Sequence, residues 1–196
     1  MSPPALGGAD RGQALKLLGA AQLALFMPLV ALDRRMVASG GPGIIPFELA
    51  GTPERSRRMM ESWGKAGRVA ARRSLLLDYP YLASYSAFNL LACRAAGDEL
   101  RQRGTGRLAD AAAVVAPLQL VAGAFDAAEN TTLLAILGGR DGRLPALARG
   151  FARAKFALLG LGWSYEALGL AGRLADEVRR RRRSRPHRAA VRVLGR

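Results

Sequence analysis

"LADAAAVVAPLQLVAGAFDAAENTTLLAIL", residues 108–137, is the stretch that decides the fold of this chain. From Ala111 to Phe125 it carries no charge on any face, whereas a surface helix of a soluble protein alternates an apolar stripe with a polar one. The whole stretch 108–137 is longer than the roughly 20 mostly apolar residues that cross a bilayer core, so it predicts a membrane-spanning helix. Near its end, however, Asp126 and Glu129 lie one helical turn apart.

Three further apolar segments approach the same length, at 14–32, 74–93 and 155–175. Together with 108–132 they predict an all-α integral membrane fold of four transmembrane helices. Each segment is flanked by arginine or lysine, as the ends of membrane spans often are. Charged residues inside the last three segments leave a soluble helical bundle as the alternative. The stretch 17–32 argues against it, because no face of that helix is charged.

Outside the spans, the sequence predicts a flexible lead at 1–13, a long first connection, and a polybasic tail at 176–196. In the first connection, Thr52 suits a helix N-cap and Pro53 suits the first helical position. Apolar residues follow at helical spacing. This pattern predicts a short amphipathic helix that lies in the membrane interface.

The first span could also be interpreted as a signal peptide. Asp33, Arg34 and Arg35 lie between the apolar run and the nearest cleavage-like sequence at 37–39, which favours an uncleaved anchor. Four spans would place both termini of a multi-pass protein on one side of the cell membrane. Basic residues are divided almost equally between the two sides. Because lysine and arginine are enriched on the cytoplasmic side of membrane proteins, the dense arginine run of the tail favours a cytoplasmic C-terminus.

The chain has a net charge of +15 and 30 basic residues, of which only Lys16, Lys65 and Lys155 are lysine. No zinc-finger, helix-turn-helix or RNP-like signature accompanies this charge, and the arginine bias is typical of a GC-rich genome, so we expect no nucleic-acid partner. Cys93 and His187 are single residues of their types. This argues against a disulfide, a His/Cys metal site and a Ser-His-Asp triad within one chain. The sequence therefore indicates no catalytic residue, metal or cofactor, and favours a protein that is not an enzyme.

Antiparallel packing of the spans would bring polar residues from different spans to one membrane face. The start of the second span, the end of the third, the start of the fourth and the first connection all lie on the side away from the termini. A carboxylate at the centre of a membrane helix costs about 2.5 to 3.5 kcal/mol, so such residues persist where they are paired, protonated or hydrated. Helical phase then assigns one candidate polar binding cluster. Its members are Glu48, Asp78, Tyr81, Tyr85, Asp126, Glu129, Asn130, Lys155 and Glu166.

Four motifs, together with Trp63, resemble those of a family of small bacterial four-helix integral membrane proteins. They are "PFELAGTPE" (46–54), "LLLDYPYLASYS" (75–86), "GAFDAAEN" (123–130) and "FARAKFAL" (151–158). The resemblance covers roughly residues 14–175 and excludes the lead and the tail. It implies the same membrane fold but no biochemical function and no substrate. It singles out six residues of the polar cluster, namely Glu48, Asp78, Asp126, Glu129, Asn130 and Lys155.

The sequence leaves three functions open. The favoured one is a structural role, in which the cluster locks helices together in an accessory or scaffold protein, since polar side chains join membrane helices. Its excess of carboxylates over Lys155 would alternatively suit a binding or transport site for a cation, an amine or another small molecule. A lipid-acting enzyme is the least favoured, because no nucleophile–base pair accompanies the carboxylates. A homo-oligomer or a partner membrane protein is compatible with the first two.

The arginines of the tail predict a contact with the lipid bilayer. Basic residues near an anionic membrane surface contribute about 1 kcal/mol each. The candidate lipid-headgroup residues are Arg179, Arg180, Arg181, Arg182, Arg183 and Arg185.

Overall fold

The computed structural model describes residues 8–140 and 142–184, and within these residues it contains helices and their connections but no strand. The described helices are α1 (Gly8–Ala38), α2 (Ile44–Glu48), α3 (Pro53–Gln102), α4 (Gly106–Asp110), α5 (Ala112–Leu137) and α6 (Leu144–Ser184). The all-α fold class is therefore confirmed. The long helices α1, α3, α5 and α6 contain the four predicted apolar segments, of which the third begins in α4.

Helix α3 is the central element of the described structure. It packs against α1, α5 and α6, and α5 also packs along α6. Helices α1 and α6 make no extended contact with each other. Since both lie against α3, a groove remains between α1 and α6, with α3 as its floor.

Small residues allow the long helices to approach closely. Gly169 of α6 lies against Ala96 of α3, where an added Cβ would be 2.8 Å from the Cα of Ala96. Gly97 is packed in the same way, since a Cβ there would be 2.5 Å from the Cβ of Ala112. Backbone-to-backbone approach at these positions fixes how α3 crosses its neighbours.

The first connection folds over one end of the long helices. There, buried apolar residues of α1, α2, α3, α5 and α6 form a cluster that we call the end core. Trp63 is at its centre, with its ring centroid 4.9 Å from that of Phe47 and its indole Nε1 donating to the carbonyl of Pro42 at 2.6 Å. The end core comprises Leu32, Met36, Phe47, Trp63, Ala70, Ala71, Leu75, Leu133, Ile136 and Ala148.

The helix predicted in the first connection is present. Thr52 caps it as predicted, since its side chain accepts from the backbone N–H of Arg55 at 3.3 Å. A kink at Gly64, where φ is 56°, separates it from the rest of α3. Trp63, next to this kink, is buried in the end core against Phe47. The interfacial position of this helix stays a prediction.

The terminal boundaries also differ from those expected. Helix α1 begins at Gly8, so the described part of the lead 1–13 is helical. Helix α6 continues to Ser184, which makes the first part of the tail 176–196 helical as well. The remaining residues of the lead and the tail lie outside the described structure.

Two stretches are long and apolar enough to cross a membrane, by length and composition. They are Ala9–Ala38, which is nearly all of α1, and Gly106–Leu137, which covers α4 and α5. The central parts of α3 and α6 carry more charged residues than these two stretches.

The crossing of α6 over α3 can be tested at Gly169. We expect Gly169→Leu to lower the free energy of unfolding by about 1 to 3 kcal/mol, because the new side chain collides with the backbone of Ala96. The measurement is thermal unfolding of the purified protein in detergent, followed by tryptophan fluorescence. Gly160→Leu is the matched control on the same helix, since a Cβ at that position meets nothing within 4 Å. Equal melting temperatures for the two variants would contradict the close approach.

Candidate functional site

Lys155 of α6 is the centre of the polar cluster. Its side-chain Nζ lies 2.9 Å from Asp126 Oδ1 and 2.9 Å from Glu129 Oε2, both on α5. The two carboxylates are three residues apart on one face of α5, so both can reach the same ammonium group. Glu48, the last residue of α2, approaches the same nitrogen at 3.4 Å. One lysine thus joins α2, α5 and α6.

This ion cluster is enclosed by protein. Lys155 is 5% exposed and Glu129 is fully buried. Glu129 Oε1 accepts no hydrogen bond from any described residue. Buried charges are tolerated when they are paired, and removing one partner of such a pair is strongly destabilising. A single ammonium group therefore faces three carboxyl groups.

A second layer of polar contacts connects the cluster to α3. Tyr85 donates its hydroxyl to Asp126 Oδ2 at 2.7 Å, so both oxygens of Asp126 are engaged. Asn130 donates its amide to Asp78 Oδ2 at 2.7 Å. The other oxygen of Asp78 has no hydrogen-bond partner among the described residues. The ring of Tyr81 packs edge-on against that of Tyr85, with centroids 5.7 Å apart.

These side chains line a cavity of about 620 Å³, a volume within the range of ligand sites in proteins. The cavity lies in the groove between α1 and α6. Its polar end is formed by Asp33, Glu48, Asp78 and Lys155, together with Asp126 and Asn130. Farther along the helices, the lining becomes apolar and aromatic. The residues of this apolar end include Phe26, Leu29, Val30, Leu159 and Trp163.

Burial affects the protonation of the acid nearest the first connection. Desolvation raises the pKa of Glu48 above its ordinary value, and the negative charge of Asp126 acts in the same direction. The ammonium group of Lys155 opposes this shift. Asp33, another carboxylate of the lining, is held by accepting the backbone N–H of Ile44 at 2.7 Å.

The structure brings eight of the nine predicted cluster residues together and places Glu166 elsewhere. Glu166 instead lies 3.4 Å from the thiol of Cys93 on α3. Its position eleven residues after Lys155 puts both on one face of α6, but the rise of an α-helix separates them by about 16 Å along the axis. The helical period predicts that two residues share a face, but it does not bring together residues that lie several turns apart along the helix axis.

Sequence reasoning missed the contribution of α1. Gln22, Phe26 and Asp33 all line the cavity. With Val30 they follow one another at spacings of three or four residues, which is the pattern of a single helix face. The polar residues at both ends of this otherwise apolar face were the available signal.

The arginines of the tail belong in part to α6, which continues through residue 184. Arg181 donates to Glu177 at 2.7 Å, one turn earlier on the same helix. Arg185 lies outside the described residues. The lipid-headgroup function of the tail stays a prediction.

Within the described ranges, no group of three or more histidine, cysteine or acidic side chains has an arrangement that could hold a metal ion. Neither a scan of protein-family models nor searches of curated proteins and of solved structures find a match to the chain. The resemblance to four-helix membrane proteins stays a prediction.

The role of Lys155 as the shared counter-ion can be tested by Lys155→Met. We expect a loss of about 3 to 5 kcal/mol in the free energy of unfolding, because the buried carboxylates of α5 lose their compensating charge. Thermal unfolding in detergent measures this loss, and adding Glu129→Gln should recover part of it. Lys65→Met, at an exposed position on α3, is the control and should change stability by less than about 0.5 kcal/mol. Equal effects at both lysines would rule out the central role of Lys155.

Proposed function

We propose that this is a multi-pass protein of the cell membrane whose cavity binds a small molecule carrying a protonated amine. The observation that carries the proposal is the charge of the cavity wall. Glu48, Asp78 and Asp126 line it with only one lysine, and one oxygen of Asp78 accepts no hydrogen bond from the residues that the structure describes. A positively charged donor is the ligand group that such a wall attracts.

The membrane part of the proposal is supported by the outer surfaces of the long helices. Leu23 and Met27 of α1 are exposed apolar side chains, as are Leu168 and Leu170 of α6. Several polar side chains from the central parts of α3 and α6, including Asp78, Asn89 and Lys155, line the cavity. This is expected of membrane helices that turn polar residues away from lipid. In this arrangement the four long helices are the four spans.

Helix α1 is an integral part of the fold and not only an N-terminal apolar segment. Met36 is fully buried in the end core, and Asp33 binds the start of α2. These contacts support an uncleaved span. The contact of Glu48 with Lys155 near the start of α6 supports a common membrane face for the first connection and the start of α6.

An amine suits the polar end of the cavity because it combines a positive charge with hydrogen-bond donors. Its N–H groups could donate to the free oxygen of Asp78, forming a charge-assisted hydrogen bond. The aromatic faces of Tyr81 and Tyr85 stand beside this position and can stabilise a cation through their π electrons. A bound ammonium would also offset the excess negative charge around Lys155.

A structural lock is the second candidate, favoured by the contacts of Lys155 with α2 and α5. Locking uses the contacts of Lys155 with Asp126 and Glu129, and the hydrogen bond of Asn130 to Asp78 also joins α5 to α3. The cavity beside these residues adds nothing to that purpose. The cavity is why binding is the primary proposal and the lock a supporting role in an accessory or scaffold protein.

The four-span topology, with a cytoplasmic C-terminus, can be tested by cysteine labelling in a Cys93→Ala background. Single cysteines replace the exposed residues Ser62, Gln102 and Arg140, one in each connection. In right-side-out vesicles, a membrane-impermeant maleimide should label positions 62 and 140 but leave 102 unlabelled until the vesicles are opened. Labelling of 102 on the same side as 62 would refute the topology.

The binding site can be tested with butylamine and its uncharged analogue butanol. We expect the amine to bind the detergent-solubilised protein and Asp78→Asn to weaken this binding roughly ten- to a hundredfold, because a charged hydrogen bond contributes about 1.5 to 3 kcal/mol. Asparagine can still accept from Asn130, so the fold should be kept. Saturation-transfer NMR and thermal shifts provide the measurement.

Asp110→Asn is the matched control for this experiment. Asp110 is an exposed acid of α4 that pairs with Arg101, and it does not line the cavity. Its substitution should leave amine binding unchanged. Butanol binding as strongly as butylamine, or an equal loss with both aspartate variants, would overturn the proposed site.

A further inference from the structure

The cavity opens sideways between α1 and α6. Both helices contribute to its lining, yet they make no extended contact with each other. The side chains at this opening are aromatic and exposed: Phe26 is 48% exposed and Trp163 is 55% exposed. If the long helices are membrane spans, this opening faces the acyl chains of the bilayer and not water.

Helix α2 forms the cavity wall at the end toward the first connection. Glu48 is buried there, whereas Ile45 of the same wall is 54% exposed. Entry through the groove between α1 and α6 requires no movement of α2.

The cavity is long, and its polarity changes along its length. Its lining on α3 extends from Ser74 to Asn89, which corresponds to about 22 Å of helix axis. The carboxylates occupy the end near Asp78. Apolar side chains, including Leu29 and Leu159, follow one turn farther along α1 and α6, and the amides of Gln22 and Asn89 lie at the far end. The carboxylates and the apolar stretch beside them match a molecule with a charged head and an apolar chain.

We propose that the ligand is a single-chain amphiphile with a protonated amine headgroup, which enters from the bilayer through the gap between α1 and α6. The amine binds at Asp78 and the chain lies along Leu29 and Leu159. A phosphate-containing headgroup would bring negative charge against Glu48, Asp78 and Asp126, so charge complementarity selects a headgroup without phosphate. This inference rests on the proposed function and adds the class of ligand and its route.

The test uses the full chain in phosphatidylcholine nanodiscs that contain equal amounts of dodecylamine and dodecanol. Native mass spectrometry of the released protein should show retained dodecylamine and no dodecanol. Dodecylamine should bind at least about tenfold more tightly than butylamine, because its longer chain buries more apolar surface. Asp78→Asn should abolish its retention.

The route is tested by filling the gap. Leu29→Trp should reduce retention of dodecylamine by at least about tenfold while butylamine binding is affected less, because the short amine needs only the polar end. Met27→Trp is the matched control on the outer surface of α1, where residue 27 is 67% exposed, and it should have no effect. If Leu29→Trp does not fold, Leu29→Phe should give a smaller loss in the same direction.

The outcomes separate the inference from the function on which it rests. If butylamine binds through Asp78 but dodecylamine binds no better, the amphiphile is wrong and the amine site stands. If neither amine binds, both proposals fail. Equal retention of dodecanol would overturn the amine headgroup, and equal losses for Leu29→Trp and Met27→Trp would overturn the route.

Discussion

The contact of Lys155 with the carboxylates of α5 is the interaction on which the rest of the structure depends. A buried ammonium requires compensating charge nearby, and Asp126 and Glu129 provide it from a single helix face. This requirement fixes the rotation of α5 and α6 relative to each other. It also draws Glu48 inward, which holds α2 at the end of the long helices.

The same contact explains why a cavity can persist beside a charged cluster. With Lys155 held on the side of α5 and α6, the acid on α3 has no lysine of its own. Asp78 accepts a hydrogen bond from Asn130 through one carboxylate oxygen and also lines the cavity. The polar end of the cavity is thus a consequence of one cation serving several acids that come from different helices.

Much of the fold and most of the cluster could be predicted from the sequence, because helix period and chain direction are local properties. The 3.6-residue period placed Asp126 and Glu129 on one face, and antiparallel order brought Lys155 to them. The positions of two residues could not be predicted from these properties. Glu166 shares the face of Lys155 but lies three turns away, and Trp63 has a buried position because Phe47, on another helix, packs against it.

Helix α1 packs against α3 and makes few contacts with the other long helices. Its contacts with α3 extend from an ion pair of Arg11 with Asp98 near its start to Met36 in the end core. The position of the cavity wall that α1 forms is therefore set mainly by α3, whereas the charged groups inside the cavity come from α2, α3, α5 and α6 as well.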